Sequence, residues 1–183
     1  MNLRSKFLLL FLIPLALTAQ DRYMTRTGHV EFHSSTPLED IDAENDKVTS
    51  VWDAASGALE FSMLIKAFAF EKALMQEHFN EDYMESTTFP KATFKGKLSG
   101  IGADELAKAG TYIVSVVGTI TLHGVEKPVK TEGTVTVDAH GAIQATSTFP
   151  IRPEDHGIRI PGLVRTKIAE AIEVKVRMDY RKM

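Results

Sequence analysis

The chain has 183 residues, with 21 Lys and Arg against 24 Asp and Glu, 44% apolar residues and no cysteine. The length suits one globular domain, and a net charge of −3 argues against a nucleic-acid binder, which needs a basic stripe to neutralise phosphates. Lack of cysteine excludes disulfides, a thiolate nucleophile, a thioredoxin-like motif and Cys-held zinc or iron–sulfur clusters.

Residues 1–20 read as a secretory signal peptide: Arg4 and Lys6 make a basic start, residues 7–17 an apolar run, and Thr18-Ala19-Gln20 a small and polar cleavage region. Spanning a bilayer takes roughly 18 or more apolar residues, and Pro14 interrupts this run. A lipoprotein anchor needs a cysteine at the junction. Removal of Arg4 and Lys6 leaves residues 21–183 with 19 basic and 24 acidic side chains, a net charge of −5. The expectation is a periplasmic or secreted domain of residues 21–183, without a stable membrane anchor. A large core or sheet closure, rather than disulfides, must hold it together.

Period-two alternation, the mark of half-buried strands, dominates this domain. Gly28, Val30 and Phe32 share one face, as do Val48, Ser50 and Trp52. Leu59, Phe61, Met63, Ile65 and Ala67 form an apolar face that Leu64, Phe68 and Phe70 interrupt. Residues 71–86 have helical composition. Ala92, Phe94, Gly96 and Leu98 alternate with Lys91, Thr93, Lys95 and Lys97, and residues 103–109 suit a helical turn stopped by Gly110. Tyr112, Val114, Val116, Gly118, Ile120 and Leu122 then face one way, with Ile113 and Val117 as exceptions on the other face. Residues 123–128 are expected to turn, and Val129, Thr131, Gly133, Val135 and Val137 complete a hairpin.

After a turn at Asp138-Ala139-His140-Gly141 come Ile143, Ala145, Ser147, Phe149 and Ile151. Helical turns are expected at residues 167–171. The last strand alternates Ile172, Val174, Val176, Met178 and Tyr180 with Glu173, Lys175, Arg177 and Asp179. About eight strands and no helix–strand rhythm predict an antiparallel barrel or sandwich. A closed barrel of that size either packs solid or holds one small ligand.

Motifs for chemistry are sparse. His29, Glu31 and His33 project from one strand face, a spacing open to a metal or to plain solvent. There is no Gly-x-Ser-x-Gly elbow, and Asp155-His156 reads as a polar turn. Glu81-Asp82 and Asp104-Glu105 read as solvated helix charges, and Gly96, Gly100 and Gly102 lack the context of a phosphate loop. Phe61, Met63, Phe68, Phe70, Met75, Phe79, Tyr83 and Met84 crowd a 24-residue stretch. Such residues make either an adaptable wall for a lipid chain or an ordinary packed core.

Three stretches resemble the YceI-like family, exported proteins with a lipocalin-like barrel. The first is His78-Phe79-Asn80-Glu81-Asp82-Tyr83-Met84-Glu85-Ser86, continuing through Phe89-Pro90-Lys91-Ala92-Thr93-Phe94-Lys95-Gly96. The second, and most specific, is Gly118-Thr119-Ile120-Thr121-Leu122-His123-Gly124-Val125-Glu126-Lys127-Pro128-Val129. The third is Phe149-Pro150-Ile151-Arg152-Pro153-Glu154-Asp155-His156-Gly157-Ile158, followed by the final strand. Residues 28–34 echo the family's opening strand only loosely, and His156 stands where Phe is common.

The resemblance implies an all-β fold: an antiparallel lipocalin-like barrel of about eight strands with one or two short helices. It also implies a non-catalytic protein, without a cofactor, that sequesters or carries a long isoprenoid-type lipid, polyprenyl or quinone-like. On that basis Phe61, Met63, Ile65, Phe94, Val114, Val116, Ile120, Val135, Phe149, Val174 and Val176 are expected to line the cavity. Met75, Phe79 and Met84 would cap its mouth, and His123 and Gly124 would set the hairpin turn. The rival readings are a solid structural or adhesion module and a metal protein built on His29, Glu31 and His33. The sequence carries no signature of an oligomeric state.

Overall fold

Long alternating runs become long strands. In the computed structural model, which describes residues 21–183, β1 spans Arg22–Ser35 and β2 spans Asp40–Asp53. The expected signal peptide lies outside the described residues. Then follow β3 (Ala58–Leu64), the two-residue β4 (Ala69–Phe70), β5 (Lys91–Ser99), β6 (Gly110–Leu122), β7 (Val125–Val137), β8 (Ile143–Ile151) and β9 (Ile172–Lys182). Neighbours pair antiparallel in the order β1-β9-β8-β7-β6-β5-β3-β2, and β1 pairs back onto β2. The ring is therefore an eight-stranded closed barrel with β4 as an extra strand on β2, and closure gives the ladder partners that an open sheet would lack at its edges.

The interrupted apolar face at residues 59–67 has a local cause. Residues 49–52 of β2 pair with β3, but Ala43 and Glu44 pair with β4. The chain parts from β2 after Ser62, turns through the 3₁₀ segment Ile65–Ala67 and returns to β2 at Ala69. Fully buried Asn45 fills the gap in the ladder: its Nδ2 donates to Leu64 O at 3.0 Å and its Oδ1 accepts from Lys47 N at 2.9 Å. Ile65 is thus buried beyond the strand, while Leu64 is exposed.

The β6–β7 hairpin is tighter than its sequence suggested. Leu122 pairs directly with Val125, so only His123 and Gly124 turn, with φ of 50° and 73°. Two successive positive φ values match the twist of flanking strands, and residues 125–128 already belong to β7. Pro128 sits in a stretch of β7 paired to β6 alone, since pairing with β8 starts at Gly133. A missing N–H is tolerated there.

The connections divide the barrel into two unlike ends. One end carries short turns at residues 54–57 and 138–142, plus the single helical turn α2 (Ala103–Leu106), where Gly102 N donates to Glu105 at 2.9 Å. The other end carries two long excursions, residues 65–90 and 152–171. The first holds α1 (Ala73–His78), which continues as a π-helical turn, Phe79–Tyr83, within the helical segment expected from composition. In the second, a 3₁₀ turn lies at Arg165–Lys167, earlier than the helical turn expected at residues 167–171.

The end with short turns is packed shut. Tyr23, Trp52 and Tyr180 pack as tilted rings with centroids 5.5 and 5.9 Å apart, and Tyr180 OH shares a 2.7 Å hydrogen bond with Ser50 Oγ. Burial pushes the Tyr180 phenol well above its ordinary pKa. Ile113 and Val117, the exceptions to alternation in β6, face outward and are exposed.

Candidate functional site

Alternation aims one face of every barrel strand inward, and above the aromatic floor those side chains stop short of filling the centre. An inner chamber of about 110 Å³ is walled by Phe61, Met63, Phe94, Val114, Val116, Ile120, Phe149, Val174 and Val176, among others. Its few polar groups are hydroxyls, including Thr93, Thr131 and Ser147. Phe94 owes its position to a glycine pair. Gly96 and Gly118 face each other across β5 and β6, and a Cβ on either would lie 2.6 Å from the Phe94 ring. The ring lies in the space they leave and packs on Phe61 at 5.4 Å.

An outer chamber of about 480 Å³ adjoins the inner one under the long loops, and Val30, Met63, Leu122, Ile151 and Val174 belong to both walls. Its volume alone falls within the roughly 300–1,000 Å³ usual for ligand sites. Ile65, Met75, Phe79 and Met84 line it, as do Phe32, Phe68 and Phe70. Phe79, at the start of the π-helical turn, is the hub of these aromatics, with centroids 5.6 Å from Phe32, 5.6 Å from Phe68 and 5.0 Å from Phe70. Charged and ionisable side chains enter the wall at this level: Glu39, Lys72, His78 and Lys167.

Of the expected lining, Val135 stands apart. It lies on the inward face but is fully buried and belongs to neither wall, because at its level the barrel is filled by the packed floor. Conversely, sequence reasoning missed Ile158, Ile160, Val164 and Ile168, which cross the mouth from the second long loop. No strand or helix repeats there, so no period marks them. Phe68 and Phe70 stood out in the aromatic-rich stretch, but the broken strand hid their direction.

His123 does more than turn the hairpin. Its Nε2 lies 2.9 Å from the Glu85 carboxylate and its Nδ1 3.2 Å from His156 O, while Phe89 packs on its ring at 4.4 Å. The hairpin tip is thereby latched to both long loops. Buried His156 has its pKa lowered by desolvation, opposed by its contact with Val125 O at 3.4 Å.

His29, Glu31 and His33 face outward, on the opposite side of β1 from the chambers, and do not share a focus. His29 Nδ1 meets Asp46 at 2.7 Å, its Nε2 meets Glu31 at 3.4 Å, and His33 Nδ1 meets Asp42 at 2.6 Å. Among the described residues, the group whose ligand atoms do lie together, within 4.8 Å, is His29, Glu44 and Asp46, with both carboxylates exposed. The Asp46 hydrogen bond is the main reason the His29 pKa is raised. Lys175 occupies Glu31 at 2.9 Å, so this face is laced with ion pairs.

The model of the YceI-like domain matches residues 22–180. No curated protein matches the sequence. Among solved structures, a polyisoprenoid binding domain from Saccharophagus degradans, implicated in plant cell wall breakdown, superposes with a TM-score of 0.75 at 16% identity, over 90% of this chain and 99% of that chain. BcnA from Burkholderia cenocepacia follows at 0.67 and 17% identity, over 82% of this chain and 94% of its own. The YceI protein of Campylobacter jejuni gives 0.58 at 17% identity, over 77% and 84%. These structures share the fold.

Proposed function

The chain belongs to the YceI-like domain family, and from that premise we propose that it is an exported, non-catalytic carrier that holds a long isoprenoid-type lipid in its barrel. The observation that carries this reading is the adjoining pair of chambers, walled by Val, Ile, Leu, Phe and Met from the floor to the loops. Each methylene moved from water into such a wall gains about 0.8 kcal/mol, so affinity grows with chain length without any specific polar contact. The inner chamber takes the chain. The polar head stays in the outer one, where Glu39, Lys72, His78 and Lys167 stand. The relative from Saccharophagus degradans, described as polyisoprenoid binding, supports the choice of ligand class. The basic, apolar and small-residue sequence of positions 1–20 supports export to the periplasm or beyond.

The test is to purify the protein from a lysate containing membranes, extract it with organic solvent and analyse the extract by mass spectrometry. A prenyl lipid in the extract, or its uptake when added to stripped protein, is the expected result. An empty barrel that also ignores added prenyl lipids would overturn the proposal.

A further inference from the structure

The middle of the second long loop, residues 156–169, differs in charge from the rest of the molecule. Between Asp155 and Glu170 there is no acidic side chain, while Arg159, Arg165 and Lys167 are basic. Its Ile158, Ile160, Val164 and Ile168 line the outer chamber, but its tip does not. Leu163 occupies the third position of a turn closed by Val164 N donating to Pro161 O at 3.0 Å, and it is 93% exposed. Two further leucines stand bare on the segments that border the same opening, Leu38 at 67% and Leu74 at 63% exposure. Lys167 ties the first of these segments to the basic loop through Glu39, at 3.6 Å.

Single exposed leucines are ordinary on protein surfaces. Three around one mouth, with the acid-free basic stretch of residues 156–169 among them, match one kind of surface. In a bilayer of anionic phospholipid, leucines enter the acyl boundary while guanidinium and ammonium groups meet lipid phosphates. We propose that this rim is the bilayer-contact surface through which the barrel loads, with Leu163 as the inserting tip. The proposal rests on the lipid-carrier reading and adds where the lipid enters and from what.

The net negative charge of the chain does not oppose this contact, because charges beyond about 8 Å are screened at physiological ionic strength. The pairs of Arg165 with Glu154 and Glu170, and of Lys167 with Glu39, lie at the surface, each with one exposed and one partly exposed partner. Such pairs contribute little and exchange readily for lipid phosphates. A few leucine tips without a second anchor give a contact that forms and releases.

The experiment compares the wild-type protein with Leu163→Asp in three measurements. These are flotation with vesicles of phosphatidylcholine and phosphatidylglycerol, the rate at which a prenyl lipid transfers out of those vesicles, and equilibrium uptake of the same lipid from detergent micelles. The wild type should float, and its binding should fall as sodium chloride rises. Leu163→Asp should lower both vesicle binding and transfer rate about tenfold, the effect of losing one buried leucine, with micelle uptake unchanged. Transfer at the wild-type rate by Leu163→Asp would overturn the rim and leave the carrier reading standing. Vesicle binding indifferent to salt and to phosphatidylglycerol would overturn the anionic surface. Failure of the wild type to take up lipid from micelles would overturn the carrier reading, and the rim with it.

Discussion

At the end of the barrel closed by short turns, Tyr23, Trp52 and Tyr180 pack as tilted rings with centroids 5.5 and 5.9 Å apart, all three buried. At the other end, Phe32, Phe68, Phe70 and Phe79 pack in stacked, tilted and edge-to-face pairs at 5.0 to 5.8 Å and border a chamber of about 480 Å³. Ring spacing is the same, so ring chemistry does not separate floor from wall. The backbone that carries the rings does. The floor aromatics sit on β1, β2 and β9, and the pairing of β1 with both of the others draws them together. Most of the mouth aromatics sit on residues 65–90, an excursion between β3 and β5 that touches the barrel ladder only through the two-residue β4. At the floor the rings meet one another across paired strands and fill the barrel, whereas at the mouth rings from the long excursion gather around Phe32 of β1 and border open space.

The largest effect that sharpens this contrast is Trp52→Ala. Removing a fully buried ring should cost about 3–5 kcal/mol, read as a lower urea midpoint, while the protein that stays folded still takes up lipid. At the mouth, Phe79→Ala should do the reverse. Urea unfolding should shift by about 1–2 kcal/mol for a half-buried ring, while lipid affinity falls about tenfold for roughly 1.4 kcal/mol of lost contact. Equal effects of the two substitutions on both measurements would erase the difference between the ends.

Between floor and mouth, Val116→Phe fills the inner chamber. Overpacking of this kind costs about 1–3 kcal/mol. Competition between prenyl lipids of different length should then show the longest chains excluded and short ones retained.

The smallest effect concerns the latch. The lowered pKa of His156 means that its neutral form is the one folded into place. Its contribution is complete above about pH 6.5, the unfolded value, and is lost as pH falls toward the folded value. His29, with a raised pKa, contributes oppositely: its stability is complete below about pH 6.5 and lost as pH rises through the folded value. His156→Phe should therefore remove the acid-side loss, so that the variant's Tm gains on the wild type between neutral pH and pH 5. A constant Tm difference across that window would contradict the assignment.

The same division explains what was legible in the sequence. β6, β8 and β9 alternate over many residues and were read nearly to their ends, with their inward residues Val114, Val116, Ile120, Phe149, Val174 and Val176 placed on the chamber wall. β1 and β2 are longer than alternation suggested. Register shifts around Gly28 break the period of β1, and Gly28 abuts the Met178 thioether, leaving no room for a Cβ. Ile65 was reached through the interrupted alternation of residues 59–67, and Met75, Phe79 and Met84 through the aromatic- and Met-rich composition of residues 61–84. Ile158, Ile160, Val164 and Ile168 were not, because an irregular loop takes its direction from tertiary contacts such as the link of Ala169 N to Ser34 Oγ, 2.9 Å long. Val135 was misassigned because period two reports a face and not a height along the barrel axis.

The central claim is that the adjoining chambers hold the lipid. It is tested most directly by native mass spectrometry of the protein incubated with a long prenyl lipid, alongside the Val116→Phe, Phe79→Ala double variant. The account predicts a lipid adduct on the wild type, absent or strongly reduced on the double variant, with both proteins folded by circular dichroism. An adduct of equal abundance on both would place the lipid elsewhere and contradict the account.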